Sequence, residues 1–308
     1  MTFTLPRAIL KETPEERILR IADELQPEIR RSFLGAVGEL KKVVPVGELT
    51  ELLETGRITA ALDAVSEVKL TAEQLKPIQD AIAETTLRSA TVTAAEYGLS
   101  FTAVNERAVR FATSQSGWLI REIDSETRRA VANTVSRGLR EGLAPRQQAL
   151  IIRESVGLTN RDAGAVNRFF FGALESGLRP SLARERAERM AARLLKRRAE
   201  NIARTETIRA SNMGTQIGWE AAQDAGLLPL DTEKIWIATE DSRICPICAA
   251  LNDQVVGLGD SFDVHEEATA FTIDGQTITV AERRPLRRPS TTRTPPAHAS
   301  CRCTLGVV

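Results

Sequence analysis

The chain has 308 residues, 42% of them hydrophobic and 27% charged, with a formal net charge of zero. This is ordinary for a globular protein of two or three domains at ~100–200 residues each. Aromatics are only 4%, which leans toward helix, and no run reaches the ~18–20 apolar residues of a membrane span.

The charge is uneven. Residues 1–100 hold 12 Arg and Lys against 16 Asp and Glu, residues 181–210 hold nine against four, and residues 281–303 hold six against one. The two basic segments suit phosphate or an acidic protein face although the whole chain is neutral. The N-terminus is charged and lacks an apolar core, so no secretory signal is expected. Synthesis and folding in a reducing cytoplasm follow, where cysteines serve as thiols or metal ligands.

In chain order, Thr13-Pro14-Glu15-Glu16 is a helix start. The apolar spacing Ile18, Ile21, Leu25, Ile29, Phe33, Val37 predicts a helix over 14–42. Shorter pieces follow between Gly47 and Gly56 and at Ile58–Val65, then a helix over Thr71–Tyr97. Residues 100–122 are ambiguous: Phe101, Val104, Val109, Phe111 and Trp118 suit either a core or a partner surface. Helices are expected at Ser125–Gly142, Arg146–Val156 and Thr159–Leu174, the last two parted by Val156-Gly157-Leu158. Pro180-Ser181 opens a long basic helix that ends near Gly226, with Leu182, Met190, Leu194, Leu195 and Ile202 as its packed side. Its arginines, from Arg184 to Arg198, read as a solvated face laced with glutamates or as phosphate contacts.

After Pro229 the texture changes. Ile235–Ala238 and Gln254–Val256 predict strands, and Phe271–Val280 around Asp274-Gly275 predicts a hairpin. Residues 281–297 are rich in Arg and Pro and read as irregular. The fold class is therefore mainly α with a small C-terminal β and loop module (α+β). Its expected segments are 1–122, 123–228 and 229–308.

All four cysteines fall in the last segment, as Cys245-Pro-Ile-Cys248 and His298-Ala-Ser-Cys301-Arg-Cys303. A C-x2-C turn chelates one ion, and tetrahedral zinc takes four N or S ligands. Five candidates compete: Cys245, Cys248, His298, Cys301 and Cys303. Structural zinc is the leading reading, against a disulfide or inert thiols. His265 is a weaker second candidate, better read as a loop histidine.

Three pieces together carry a resemblance. They are Ile202-Ala203-Arg204-Thr205-Glu206 leading to Asn212-Met-Gly214, then Trp236-Ile-Ala238 with Asp241-Ser-Arg243-Ile-Cys245-Pro-Ile-Cys248, and Pro295-Pro296-Ala-His298-Ala-Ser-Cys301-Arg302-Cys303. Their order and spacing resemble the Mu F-like phage head morphogenesis family over roughly 125–308. Two departures are Ala299, where the family often has proline, and a long stretch between Leu251 and Pro295.

The resemblance implies a minor head (minor capsid) protein of a tailed phage. It would sit in the virion, at the capsid interior or portal vertex, after assembly in the host cytoplasm. Implied partners are the portal protein and the major capsid or scaffolding protein, with double-stranded DNA as a further contact. For that contact the arginine-rich stretch Arg283, Arg284, Arg287, Arg288 and Arg293 is the better candidate. Arg204 and Glu206, two apart on a helix, point to different sides; Glu206 is placed to reach Arg243, unless both are ordinary exposed charges.

Two other classes stand beside this. An enzyme or toxin is disfavoured, because the chain has two His and one Tyr and lacks G-x-S-x-G, H-E-x-x-H and a glycine-rich phosphate loop. A zinc-containing nucleic-acid-binding regulator needs a recognition helix that the sequence does not display.

Overall fold

The computed structural model describes residues 12–66, 72–100, 102–239, 244–264, 270–273, 276–279 and 291–308. Nine helices and seven strands are described, and the chain is mainly α. The chain divides into two compact units. The first takes its described residues from Met1–Ile29, Gln79–Ser114 and Asn201–Val308, the second from Arg30–Ile78 and Gln115–Glu200. Helices α1 (Pro14–Lys42), α4 (Ala72–Glu96), α5 (Thr102–Arg140) and α8 (Pro180–Asp224) each lend residues to both.

Helix α1 starts where the sequence says it should. The Thr13 hydroxyl accepts the Glu16 N–H at 3.2 Å, and the Glu16 carboxylate accepts the Thr13 N–H at 2.9 Å, a reciprocal capping box. Its whole predicted stripe from Ile18 to Val37 is buried. Helix α5 departs from expectation: the ambiguous stretch after 101 and the helix predicted from Ser125 are one continuous helix. No proline interrupts residues 102–140, so nothing in the backbone forces a break.

The second unit also holds α2 (Val46–Glu54), α3 (Ile58–Ser66), α6 (Pro145–Ser155) and α7 (Asn160–Glu175). Thr159 caps α7, its hydroxyl accepting the Asp162 N–H at 3.1 Å. The preceding Gly157 has φ +79, and a methyl group there would strike the Val37 side chain. The α6–α7 break is thus a backbone requirement rather than a loose link. The Gly157 carbonyl accepts a 2.6 Å hydrogen bond from Arg198, which is buried. Burial lowers the Arg198 pKa, against the charges of Glu126, Glu122 and Asp162.

The first half of α8 packs through Ala183, Ala187, Ala191, Leu195 and Ala199. Of the expected stripe only Leu195 is buried; Leu182, Met190, Leu194 and Ile202 are half-buried. Alanines four apart let a neighbouring helix approach closely, and the longer leucines flank that contact.

In the first unit the second half of α8 is enclosed on nearly all sides, with Trp219 buried and Thr205, Glu206, Thr207, Ser211, Asn212, Thr215 and Gln216 buried beside it. A polar helix in that position must satisfy its side chains internally. Ser211 does so with Ser89 at 2.8 Å and the Ile18 carbonyl at 3.2 Å. Ala90, Ala94, Ala108, Ile217 and Ala221 form a small core there, with Phe111 packed against it. Phe111 is therefore half-buried at the edge of a core.

The C-terminal module is built on a three-stranded antiparallel sheet of β2 (Val255–Gly257), β1 (Glu233–Ile237) and β7 (Thr304–Val307), in that order. Strand β3 (Phe262–Asp263) pairs with β6 (Thr291–Thr292), and β4 (Ala270–Ile273) with β5 (Gln276–Thr279). The last pair is the hairpin expected around Asp274-Gly275, whose two turn residues lie outside the described residues. Strand β7 was not expected, because Thr-Leu-Gly-Val follows the cysteines without an alternating pattern.

Candidate metal centre

The C-x2-C pair sits at the start of a short helix, α9 (Pro246–Leu251). Cys245 is its N-cap, with its sulfur accepting the Cys248 N–H at 3.4 Å, and Pro246 occupies the first turn. The module's core surrounds the pair: Trp219, Trp236, Ile247, Leu251, Phe262 and Leu305 are buried with Cys248, Cys301 and Cys303. Trp236 meets Phe262 edge-on, with ring centroids 5.2 Å apart. Asn252 ties α9 to β1 by accepting the Ala238 N–H at 2.8 Å.

All five predicted donors converge. His298 Nε2 lies 3.0 Å from both the Cys245 and Cys248 sulfurs, and the Cys248 and Cys301 sulfurs are 3.6 Å apart. Cys245, Cys248 and His298 form one group, Cys248, Cys301 and Cys303 another, and Cys248 belongs to both. All four cysteines are free thiols. The 3.6 Å between the Cys248 and Cys301 sulfurs is far beyond the ~2.05 Å of a disulfide and near the ~3.8 Å edge of a tetrahedron built on Zn–S bonds of ~2.3 Å.

The electrostatics fit a cation. Hydrogen bonding from Cys248 and His298 outweighs burial and lowers Cys245 to about 4. Contacts with Cys248 and Cys303 hold Cys301 well below the ordinary thiol range. Cys248 is pushed up, because Cys245, Cys301 and Cys303 all hold its proton in place. Cys303 is raised too: the Cys248 contact lowers it, but Cys301 and burial prevail. Burial opposes charge on His298, yet Cys245 and the charge of Cys301 raise it to about 9. Two lowered thiols thus stand beside two raised ones, and metal binding releases the protons of such thiols. The donors present therefore fit a metal ion.

The buried Trp236 indole nitrogen has no conventional hydrogen-bond partner, and it lies close enough to Cys303 to lower that thiol. Such N–H groups around sulfur support negative charge on it.

The motif residues of α8 hold the second half of the cluster. The Thr205 hydroxyl accepts the Ser300 N–H at 2.9 Å and donates to the Asn201 carbonyl at 2.7 Å. Asn212 donates to the Cys303 carbonyl at 3.2 Å and to the Ile208 carbonyl at 3.0 Å. Gly214 lies against the α4 backbone: a methyl there would land on the Thr86 carbonyl and 2.6 Å from Ser89 Cβ. Glu206 is buried and pairs with Arg209 at 3.4 Å, so it is no ordinary exposed charge. Arg204 is half-buried. Asp241, Arg243, His265, Arg283, Arg284, Arg287 and Arg288 lie outside the described residues. Arg293 is described, and it is committed to Glu220 at 2.7 Å.

Sequence reading missed Gln216 and Lys234. The lysine is fully buried, with its ammonium 5.5 Å from the centre of the Phe262 ring. It donates to the Arg293 carbonyl at 3.0 Å and to Gln216 Oε1 at 3.3 Å, while Gln216 donates to the Leu258 carbonyl at 2.6 Å. The only signal was the rhythm Asn212, Gln216, Glu220, polar residues one turn apart on one helix.

Burial, then the nearby Arg293, lowers Lys234 to about 8, against the pull of Glu220 and Asp260. The folded pKa is below the unfolded value, so the charged lysine costs stability at pH below 8, and that cost is relieved as pH rises. The protein is thus expected to gain stability between about pH 8 and 10 relative to Lys234→Met, by up to about 3 kcal/mol. Parallel denaturant titrations check this; identical pH slopes for the two proteins would refute it.

Among the described residues, no helix is long and apolar enough to cross a membrane. The family model for Phage Mu protein F like protein matches residues 129–306, which include the whole of α8 and all five donors. No curated protein and no solved structure matches the chain.

Proposed function

The chain belongs to the family of Phage Mu protein F like proteins, and from that premise we propose that it is a minor head protein, acting in phage head morphogenesis and carried in the virion. Its cysteine–histidine cluster holds one structural zinc ion that joins the two halves of the β module. The observation that carries this reading is the joining of the two halves of the family motif. Thr205 and Asn212 of the helix grip the very turn that presents His298, Cys301 and Cys303.

We assign the ion to Cys245, Cys248, His298 and Cys301. Backbone amides donate to the sulfurs of Cys245 and Cys301, at 3.4 and 3.5 Å, which are the two lowered thiols. His298 and Cys248 complete four donors, with Cys303 as the buried fifth under the Trp236 N–H. A shell closed by four protein ligands leaves no open position for substrate or water. The reading is therefore structural, not enzymatic.

The expected partners are the portal and the shell or scaffolding proteins around it. Quantitative mass spectrometry of purified particles checks the placement. A few to a few tens of copies per particle, lost together with the portal, is the expected result. Absence from particles, or hundreds of copies, would overturn it.

A further inference from the structure

We propose that the exposed basic face of the α7–α8 hairpin, formed by Arg161 and Arg168 on α7 and Arg186, Arg189, Arg193 and Lys196 on α8, binds the phosphate backbone of double-stranded DNA. It rests on the head-protein reading only for the source of that DNA.

The first argument is the distribution of charge between the two compact units. The stretches of the second unit hold 24 Arg and Lys against 17 Asp and Glu, a net of +7, and those of the first hold 17 against 24, a net of −7. Zero net charge thus hides a strongly basic helical unit. Within it, residues 161–198 carry ten Arg and Lys against four Asp and Glu.

The second argument is where the basic side chains stand. Arg186, Arg189, Arg193 and Lys196 are all exposed and recur every three or four residues, opposite the buried alanine stripe. They form one line about 15 Å long. Arg161 and Arg168, seven apart, are exposed on α7. Arg197 links the two helices through Asp162, the neighbour of Arg161, at 3.0 Å.

The third argument is that the acids of the α8 segment are already used. Glu188 pairs with Arg184 at 3.3 Å, Glu200 with Arg30 at 3.6 Å, and Glu185 with Arg189. Among the described residues, no ion pair engages Arg186, Arg193 or Lys196. A solvated face laced with salt bridges, one of the two readings of the sequence, accounts for Arg184 and Arg189 but leaves this row with unneutralised charge. Such a row recognises a polyanion through phosphates and not through base edges. One exposed ring, Phe169 beside Arg168, adjoins these side chains; a single ring does not stack successive splayed bases, which favours duplex over single strands.

The test is anisotropy of a labelled 30-base-pair duplex titrated with the zinc-loaded full chain from 50 to 200 mM NaCl. Two variants are compared with it: R186Q/R193Q/K196Q, and R283Q/R284Q/R287Q/R288Q. All three α8 side chains are exposed, so the first variant should keep its circular dichroism and Tm. The expected result is at least a tenfold weaker Kd at 100 mM NaCl. The slope of log K against log salt should also fall by nearly three, about 0.9 for each lost phosphate contact.

No duplex binding by the parent chain at 50 mM NaCl would overturn the proposal. So would unchanged binding by the α8 variant, or a loss confined to the 283–288 variant. If the α8 variant keeps the duplex but no longer retains purified portal protein, the face is a protein surface and the proposal fails. Particle copy number tests the head-protein reading separately.

Discussion

Cys248→Ser is expected to abolish stoichiometric zinc, open the C-terminal module and lower Tm by on the order of 10 °C. Cys248 is the donor common to both groups, 3.0 Å from His298 Nε2 and 3.6 Å from the Cys301 sulfur. Its loss leaves the half-buried Cys245 and the buried Cys301 without the partner that joins them, against a core that includes Trp219, Trp236 and Leu305. A chelator should act on the parent protein in the same way. Cys301→Ser should behave like Cys248→Ser, whereas Cys303→Ser should keep one zinc per chain and lose only packing. Elemental analysis with thermal melts reads all three. Full zinc retention by Cys301→Ser would reverse the ligand assignment, and normal refolding of the parent protein in chelator would remove the staple itself.

Gly214→Ala is expected to destabilise the first unit by about 3 kcal/mol or more, although alanine is the better helix former. The new methyl would meet the Thr86 carbonyl, Ser89 Cβ and, at 3.0 Å, the Ala90 nitrogen. Two of these are backbone atoms of α4, which cannot rotate aside. Gly218 one turn later faces Thr93 Cβ at 2.6 Å and the Ala90 carbonyl at 3.0 Å, so the two glycines mark one line of close helix contact. Gly172→Ala in α7 is the control. Nothing lies within 4 Å of its Cβ, and the change should stabilise by roughly 0.5–1 kcal/mol. Equal Tm values for Gly214→Ala and the parent would show that α4 and α8 do not approach this closely.

The consequence for the module follows from the same helix. Gly214 lets α8 settle against α4, and Asn212, two residues earlier, donates to the Cys303 carbonyl. A helix displaced by a methyl group moves that donor as well. Metal affinity should therefore fall in Gly214→Ala while all five donors remain, a coupling between backbone packing and the metal shell.

Much of this was legible in the residues. Local chemistry determines the start of α1, because Thr13 and Glu16 need only each other. It also determines the α6–α7 break at Gly157 and the C-x2-C turn at Cys245, each written within a few neighbouring positions. The order of the cysteine, histidine and α8 motifs was enough to suggest the family that the chain belongs to.

What only the tertiary structure decided depends on partners far away in sequence. The polarity of Thr205, Asn212 and Gln216 reads as a solvent-facing helix, yet they are buried because their acceptors and donors come from residues 258, 300 and 303. Lys234 reads as an ordinary strand lysine, and only the folded module supplies Phe262, Gln216 and the Arg293 carbonyl around it. The meeting of five donors from two segments about 50 residues apart has the same cause. Spacing names the candidate ligands, but distance in space, which the packing of the β module on α8 decides, makes them one site.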